Sequence, residues 1–166
     1  MDLRFSVATN QDWPAIWEVF REVVASGDTY MFSPEIDEAD ARVAWMPDGT
    51  PRRVTYVAWL DGVIVGTALL KPNASGLGDH VANAGWMVAP AASGRGVGRR
   101  FAQHVLDEAR GLGFRAMQFN AVVATNERAI GLWKSIGFEI VGTVPDAFRH
   151  ATHGLTDIHI MYCRLS

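Results

Sequence analysis

A single cysteine, Cys163, stands among 166 residues. It excludes an intrachain disulfide and any multi-cysteine zinc or iron–sulfur site, and it fits a reducing compartment. No motif with metal-ligand spacing is present, so no metal is expected. No apolar run approaches the ~20 residues of a bilayer span. The longest, Val63 to Leu70, contains Gly66 and Thr67 and reads as a buried strand. Met1-Asp2-Leu3-Arg4 lacks the apolar core of a signal peptide. Basic charge is not in surplus either: fifteen Lys and Arg stand against eighteen Asp and Glu, for a formal net charge of −3, which argues against a general nucleic-acid footprint. Repeats, low-complexity tracts and Pro/Ser linkers are missing. The expectation is one domain over residues 1–166, in the cytoplasm, with neither membrane nor nucleic acid as partner.

What the chain does contain is a globular composition, 49% hydrophobic and 20% charged, and a readable order of elements. Leu3, Phe5 and Val7 alternate as in a strand. Thr9 and Asp12 have capping-box spacing before a helical run of Ile16, Val19, Phe20 and Val23. Glu35 to Met46 reads as a second helix. Thr55–Leu60 and Val63–Leu70 flank Asp61-Gly62, a hairpin signal. A strand over His80–Val88 stops at Pro90. A helix with Phe101, Ala102, Val105, Leu106 and Ala109 on one face ends at Gly111 and Gly113. Then come a strand over Arg115–Val123, a helix over Asn126–Ile136, and closing strands at Phe138–Val144 and Asp157–Leu165. The fold class is mixed α/β with a largely antiparallel sheet, not a doubly wound nucleotide fold.

Chemistry concentrates at Ser93-Gly94-Arg95-Gly96-Val97-Gly98-Arg99-Arg100, between a strand and a helix. Glycines let peptide N–H groups approach a ligand closely, and the helix N-terminus offers unpaired donors and partial positive charge. Together they suit a phosphate. The Rossmann and P-loop fingerprints both fail here, because Arg99 replaces the third glycine and no Gly-Lys-Ser/Thr follows.

Val88-Ala89-Pro90 followed by Gly94-Arg95-Gly96-Val97-Gly98 resembles the acyl-CoA-binding motif of the GNAT superfamily of N-acetyltransferases. Asn126-Glu-Arg-Ala129-Ile-Gly-Leu132-Trp133-Lys134-Ser-Ile-Gly137-Phe138 is similar to that family's C-terminal signature. The resemblance implies a single-domain fold with splayed central strands and about four flanking helices. It implies acetyl-CoA as co-substrate, with Gly94, Arg95, Gly96, Val97, Gly98 and Arg99 around its pyrophosphate. Met87 and Val88 would pair with the pantetheine amides, and the Val88 N–H would polarise the thioester carbonyl. Two departures stand out. Ser93 replaces the usual Gln or Arg, and Trp133 replaces the Tyr that protonates the leaving thiolate in many members. Trp133 therefore becomes a cofactor-tunnel wall. Cys163 reads as a packed thiol.

An attacking amine must be neutral, yet no convincing base is visible. His80 is the best candidate by location; Glu35 and Asp37, before the second helix, read as solvated. Asparagine is depleted from strands, so Asn83 and Asn120 each need a reason: cross-strand pairing on one reading, a catalytic and substrate-orienting role in the cleft on the other. Asn126 is a helix cap or a contact to the CoA arm. Ala82-Asn83-Ala84-Gly85, Phe119-Asn120 and Asn126 resemble the proline-analogue (azetidine-2-carboxylate) acetyltransferase branch. Tyr30 and Phe32 lie where family members often bind the acceptor. Arg149, in a loop between the closing strands, is a carboxylate partner or simply solvated. The resulting expectation is acetyl transfer to a small-molecule amine, with room for a homodimer. The rivals are a protein N-terminal or lysine acetyltransferase and a non-catalytic acyl-CoA-binding module.

Overall fold

The computed structural model describes residues 1–165. The elements follow the chain as β1 (Leu3–Val7), α1 (Trp13–Ala25), α2 (Glu38–Trp45), β2 (Val54–Leu60), β3 (Val63–Pro72), β4 (Val81–Val88), α3 (Val97–Gly111), β5 (Ala116–Val123), α4 (Glu127–Ser135), β6 (Glu139–His150) and β7 (Gly154–Arg164). One seven-stranded sheet has the order β1-β2-β3-β4-β5-β7-β6. Every neighbouring pair is antiparallel except β4 and β5.

Local sequence explains the element ends. Thr9 and Asp12 form the capping box and launch α1 through one short 3-10 turn. Asp37 caps α2 by accepting from the Asp40 N–H at 2.8 Å, so α2 starts later than Ser33-Pro34 suggested. Asp61, at φ 51°, and Gly62, at φ 84°, supply the left-handed turn of the β2–β3 hairpin. The closing strands outrun their apolar pattern. β6 continues through Pro145 to His150, because register shifts between Ile140 and Gly142 and between Val144 and Phe148 absorb the proline as a bulge. Phe148-Arg149-His150 is therefore strand rather than connection.

The helices cover both faces. Phe101, Val105 and Leu106 of α3 pack on Tyr56, Ala68, Leu70 and Met117. Trp13, Ile16 and Phe20 of α1 and Trp45 of α2 pack on Val57, Leu69 and Met87 opposite. Phe20 and Phe101 are fully buried, so truncating either to alanine should cost about 3–5 kcal/mol. Two buried threonines fasten α2 to the sheet: Trp45 Nε1 donates to Thr67 Oγ1 at 2.9 Å, and Thr55 Oγ1 donates to the Trp45 carbonyl at 2.6 Å. Among the described residues no helix is long and apolar enough to cross a membrane.

Candidate active site

The site begins where β4 and β5 part. They pair only at Val81 with Ala116 and Ala82 with Met117. The β3–β4 ladder fixes what lies beyond. The Ala89 N–H donates to the Val65 carbonyl at 2.7 Å, and the Asn73 N–H to the Val81 carbonyl at 2.8 Å. Odd-numbered residues of β4 thus turn their peptide groups toward β3, and even-numbered ones turn theirs toward β5. Ala84, Trp86 and Val88 consequently face an opening with no strand across it. Met87 faces the wrong way for pantetheine: its backbone belongs to the β3 ladder opposite Thr67, and its side chain is buried under α1. The Val88 N–H points away from β3, toward the side where β5 has parted from β4. The Trp86 carbonyl beside it accepts from the Tyr30 hydroxyl.

A cavity of about 510 Å³ occupies this fork, and Tyr30, Phe32, Asn83, Asn120, Asn126 and Trp133 all line it. The three asparagines do different work. Asn83 Nδ2 donates to the Gln118 carbonyl at 2.9 Å, tying β4 to β5 just past their last paired residues. Asn120 is exposed; it accepts from Gln118 Nε2 at 3.0 Å and donates to Asn73 Oδ1 at 2.7 Å. Asn126 caps α4, accepting from the Ala129 N–H at 3.3 Å, and it also lines the cavity. Trp133 packs with Trp86 and Phe119, each at 4.9 Å between ring centroids. Burial pushes the Tyr30 hydroxyl well above the usual phenol range. Tyr30 is a neutral donor here.

None of the sequence-nominated bases reaches the cavity. His80 is exposed at the paired end of the fork, where its carbonyl accepts from the Arg115 N–H. Glu35 is exposed and Asp37 is spent on the cap; Arg149, nominated as a carboxylate partner, pairs with Leu155 in the β6–β7 hairpin and is not in the cavity lining. Cys163 is buried in β7, where burial raises its thiol pKa.

The glycine turn leads from β4 into α3. Gly94 and Gly96 adopt φ of 77° and 76°, and a Cβ added at Gly94, Gly96 or Gly98 would meet nothing within 4 Å. That open backbone, next to the first turn of α3, is a cradle that fits a diphosphate. Val97 is buried as the first residue of the helix. Arg95 leans to Asp61 at 3.6 Å, and Arg99 Nη1 donates to Ser135 Oγ at 2.8 Å. Sequence reasoning missed Arg128. From α4 it donates to Ser93 Oγ at 2.7 Å, bringing a guanidinium to the position where the family usually has a longer side chain. Its spacing two residues after Asn126 was the available signal. Lys71, another cavity-lining residue, was also missed.

A model described as the acetyltransferase (GNAT) family matches residues 13–138. The chain belongs to this family. Its curated relatives include N-acetyltransferase aca1 of Schizosaccharomyces pombe, 37% identical over 98 residues, a match covering 58% of this chain and 47% of that protein. The chain thus spans about half of that relative's length. L-amino acid N-acyltransferase MnaT of Escherichia coli is 28% identical over 147 residues, covering 87% of this chain and 83% of that protein. A GCN5-related N-acetyltransferase from Kribbella flavida has the same fold at TM-score 0.93 and 49% identity, covering 98% of this chain and 97% of that one. More distant structures of the GNAT fold have been solved with acetyl-CoA. Among the described residues no cluster of His, Cys, Asp or Glu is arranged to hold a metal.

Proposed function

We propose that this GNAT-family chain transfers the acetyl group of acetyl-CoA to the amine of a small molecule, an amino acid or proline analogue being the favoured class. The observation that carries the reading is the fork: peptide groups of Trp86 and Val88 that no strand pairs on one wall, a half-open cavity between the strands, and the open glycine turn that follows β4. Acetyl-CoA supplies the activated acyl group. The residues of the chain do the rest. The turn and the α3 N-terminus hold the diphosphate. Trp133, Trp86 and Phe119 wall the thioester from water. The Val88 N–H donates to the carbonyl oxygen as it gains charge, an effect worth a few kcal/mol in a dry site. The amine attacks directly, and no nucleophilic side chain is involved.

The cavity's volume of about 510 Å³, with Tyr30 and Phe32 in its lining, suits a small acceptor, and the amino-acid substrate in the name of the E. coli relative points the same way. We further read residues 1–166 as one catalytic domain, working in the cytoplasm with its lone thiol buried. The exposed Ile140, Val141, Val144 and Leu155 of the β6–β7 hairpin suit a homodimer contact. The test is release of CoA thiol from acetyl-CoA with an acceptor panel of azetidine-2-carboxylate, proline, other amino acids, simple amines and lysine peptides. Turnover of a small amine is expected. Turnover of peptides alone would move the chain to protein acetylation, and acetyl-CoA binding without any turnover would leave a binding module.

A further inference from the structure

The cavity that runs through the fork carries two cations, Arg53 and Lys71, and no carboxylate. The two are not equivalent. Arg53 is consumed by the fold. Its guanidinium donates to the carbonyls of Met46, Val43 and Ala44 at 3.1, 3.2 and 2.8 Å, and Asp48 lies 3.7 Å away. Lys71 has no hydrogen-bond or ion-pair partner among the described residues, although it is half-buried. Its stem is covered while its ammonium stays open to solvent, which leaves a free cation on the cavity wall with no pairing among the described residues to account for it.

Its position supplies a reason. Lys71 is the β3 register partner of Asn83, the residue that ties the fork, and the side chains of such a pair share one face of the sheet. Asn73, two residues on and on the same face, accepts from Asn120. Lys71 thus stands in the wall of the acceptor half of the cavity, next to the amides. It also borders a second cavity of about 450 Å³ over the β3–β4 connection. The one acidic residue there, Asp79, is 3.0 Å from Arg52.

We propose that Lys71 binds a carboxylate of the acceptor, so that acceptors are amines that carry an acid group. This rests on the reading of the fork as the site of acetyl transfer. The ammonium holds the acid while the amide row leaves the amine free to turn toward Val88 and the thioester.

The experiment takes the best acceptor of the panel, its carboxamide and its decarboxylated amine, against wild-type protein and Lys71→Met, with calorimetric titration of acetyl-CoA into both. Wild type should prefer the acid. Lys71→Met should lower kcat/KM for the acid by about 10- to 100-fold, as loss of a charge-assisted hydrogen bond predicts. It should leave the carboxamide and the amine within about twofold and acetyl-CoA affinity unchanged. Lys71→Arg should recover much of the loss, and Lys71→Gln serves if the methionine variant fails to fold. Equal losses on all three acceptors, weakened acetyl-CoA binding, or a best acceptor without an acid group would each overturn the role of Lys71 while acetyl transfer stands. Acetyl-CoA binding with no acceptor turned over would overturn the functional reading and this inference together.

Discussion

Gly98 separates what the glycine turn does for the fold from what it does for a ligand. At Gly94 and Gly96 the left-handed φ makes any side chain strained, so a variant there mixes folding with binding. Gly98 lies in the first turn of α3 without a positive φ, and its Cβ would meet open space. Alanine is a better helix former than glycine by up to about 1 kcal/mol. Gly98→Ala should therefore hold or raise Tm while weakening acetyl-CoA, and Gly98→Val should weaken it further. Thermal melts with calorimetry on the same samples check this; wild-type affinity in a folded Gly98→Val would remove the turn from the site. The turn was legible in the sequence because its chemistry is local. Lys71 was not, because its standing depends on which carboxylates the rest of the chain brings near it, and none lines that wall. The choice of Val88 over Met87 was equally out of reach, since it turns on the phase of a hydrogen-bond ladder set by β3.

The fork is the element on which the two strand asparagines divide. Asn83 supplies a cross-link where backbone pairing ends, and its loss leaves the Gln118 carbonyl without that partner. Asn83→Ala should lose about 1–2 kcal/mol of stability, lowering Tm by roughly 2–8 °C in a chain of this size, and should cut turnover as well. Asn120 is exposed and bonded only to the half-buried amides of Gln118 and Asn73. Asn120→Ala should keep Tm within about 2 °C and reduce kcat/KM for the acceptor, with acetyl-CoA affinity intact. Equal melting losses in both variants would make the pair structural. Periodicity gave away the helices, the β2–β3 hairpin and both strands of the fork. It underestimated the last hairpin, because Pro145 reads as a stop and only the partner strand β7 shows that a bulge carries β6 past it.

Across the whole molecule, the order of elements was enough to anticipate a mixed, largely antiparallel sheet; its one parallel pair, β4 with β5, is where the chemistry collects. The cavity is lined from elements scattered along the chain: the α1–α2 connection, α2, Arg53 just before β2, β3, β4, β5 and α4 with its cap. That wall includes no carboxylate and no imidazole, and its one phenol is held neutral with its hydroxyl committed to the Trp86 carbonyl. Proton removal then falls to the acceptor's own equilibrium with water. An amine of pKa about 10 is free base in roughly one molecule per thousand at pH 7. The rate profile should accordingly climb about tenfold per pH unit in kcat/KM and level off near the pKa of whichever amine is supplied. Replacing one acceptor by another with a lower pKa should slide the plateau by that difference. An inflection at one fixed pH for every acceptor would reveal a titrating group on the chain; its absence would mean that the substrate, rather than the enzyme, sets the pH optimum.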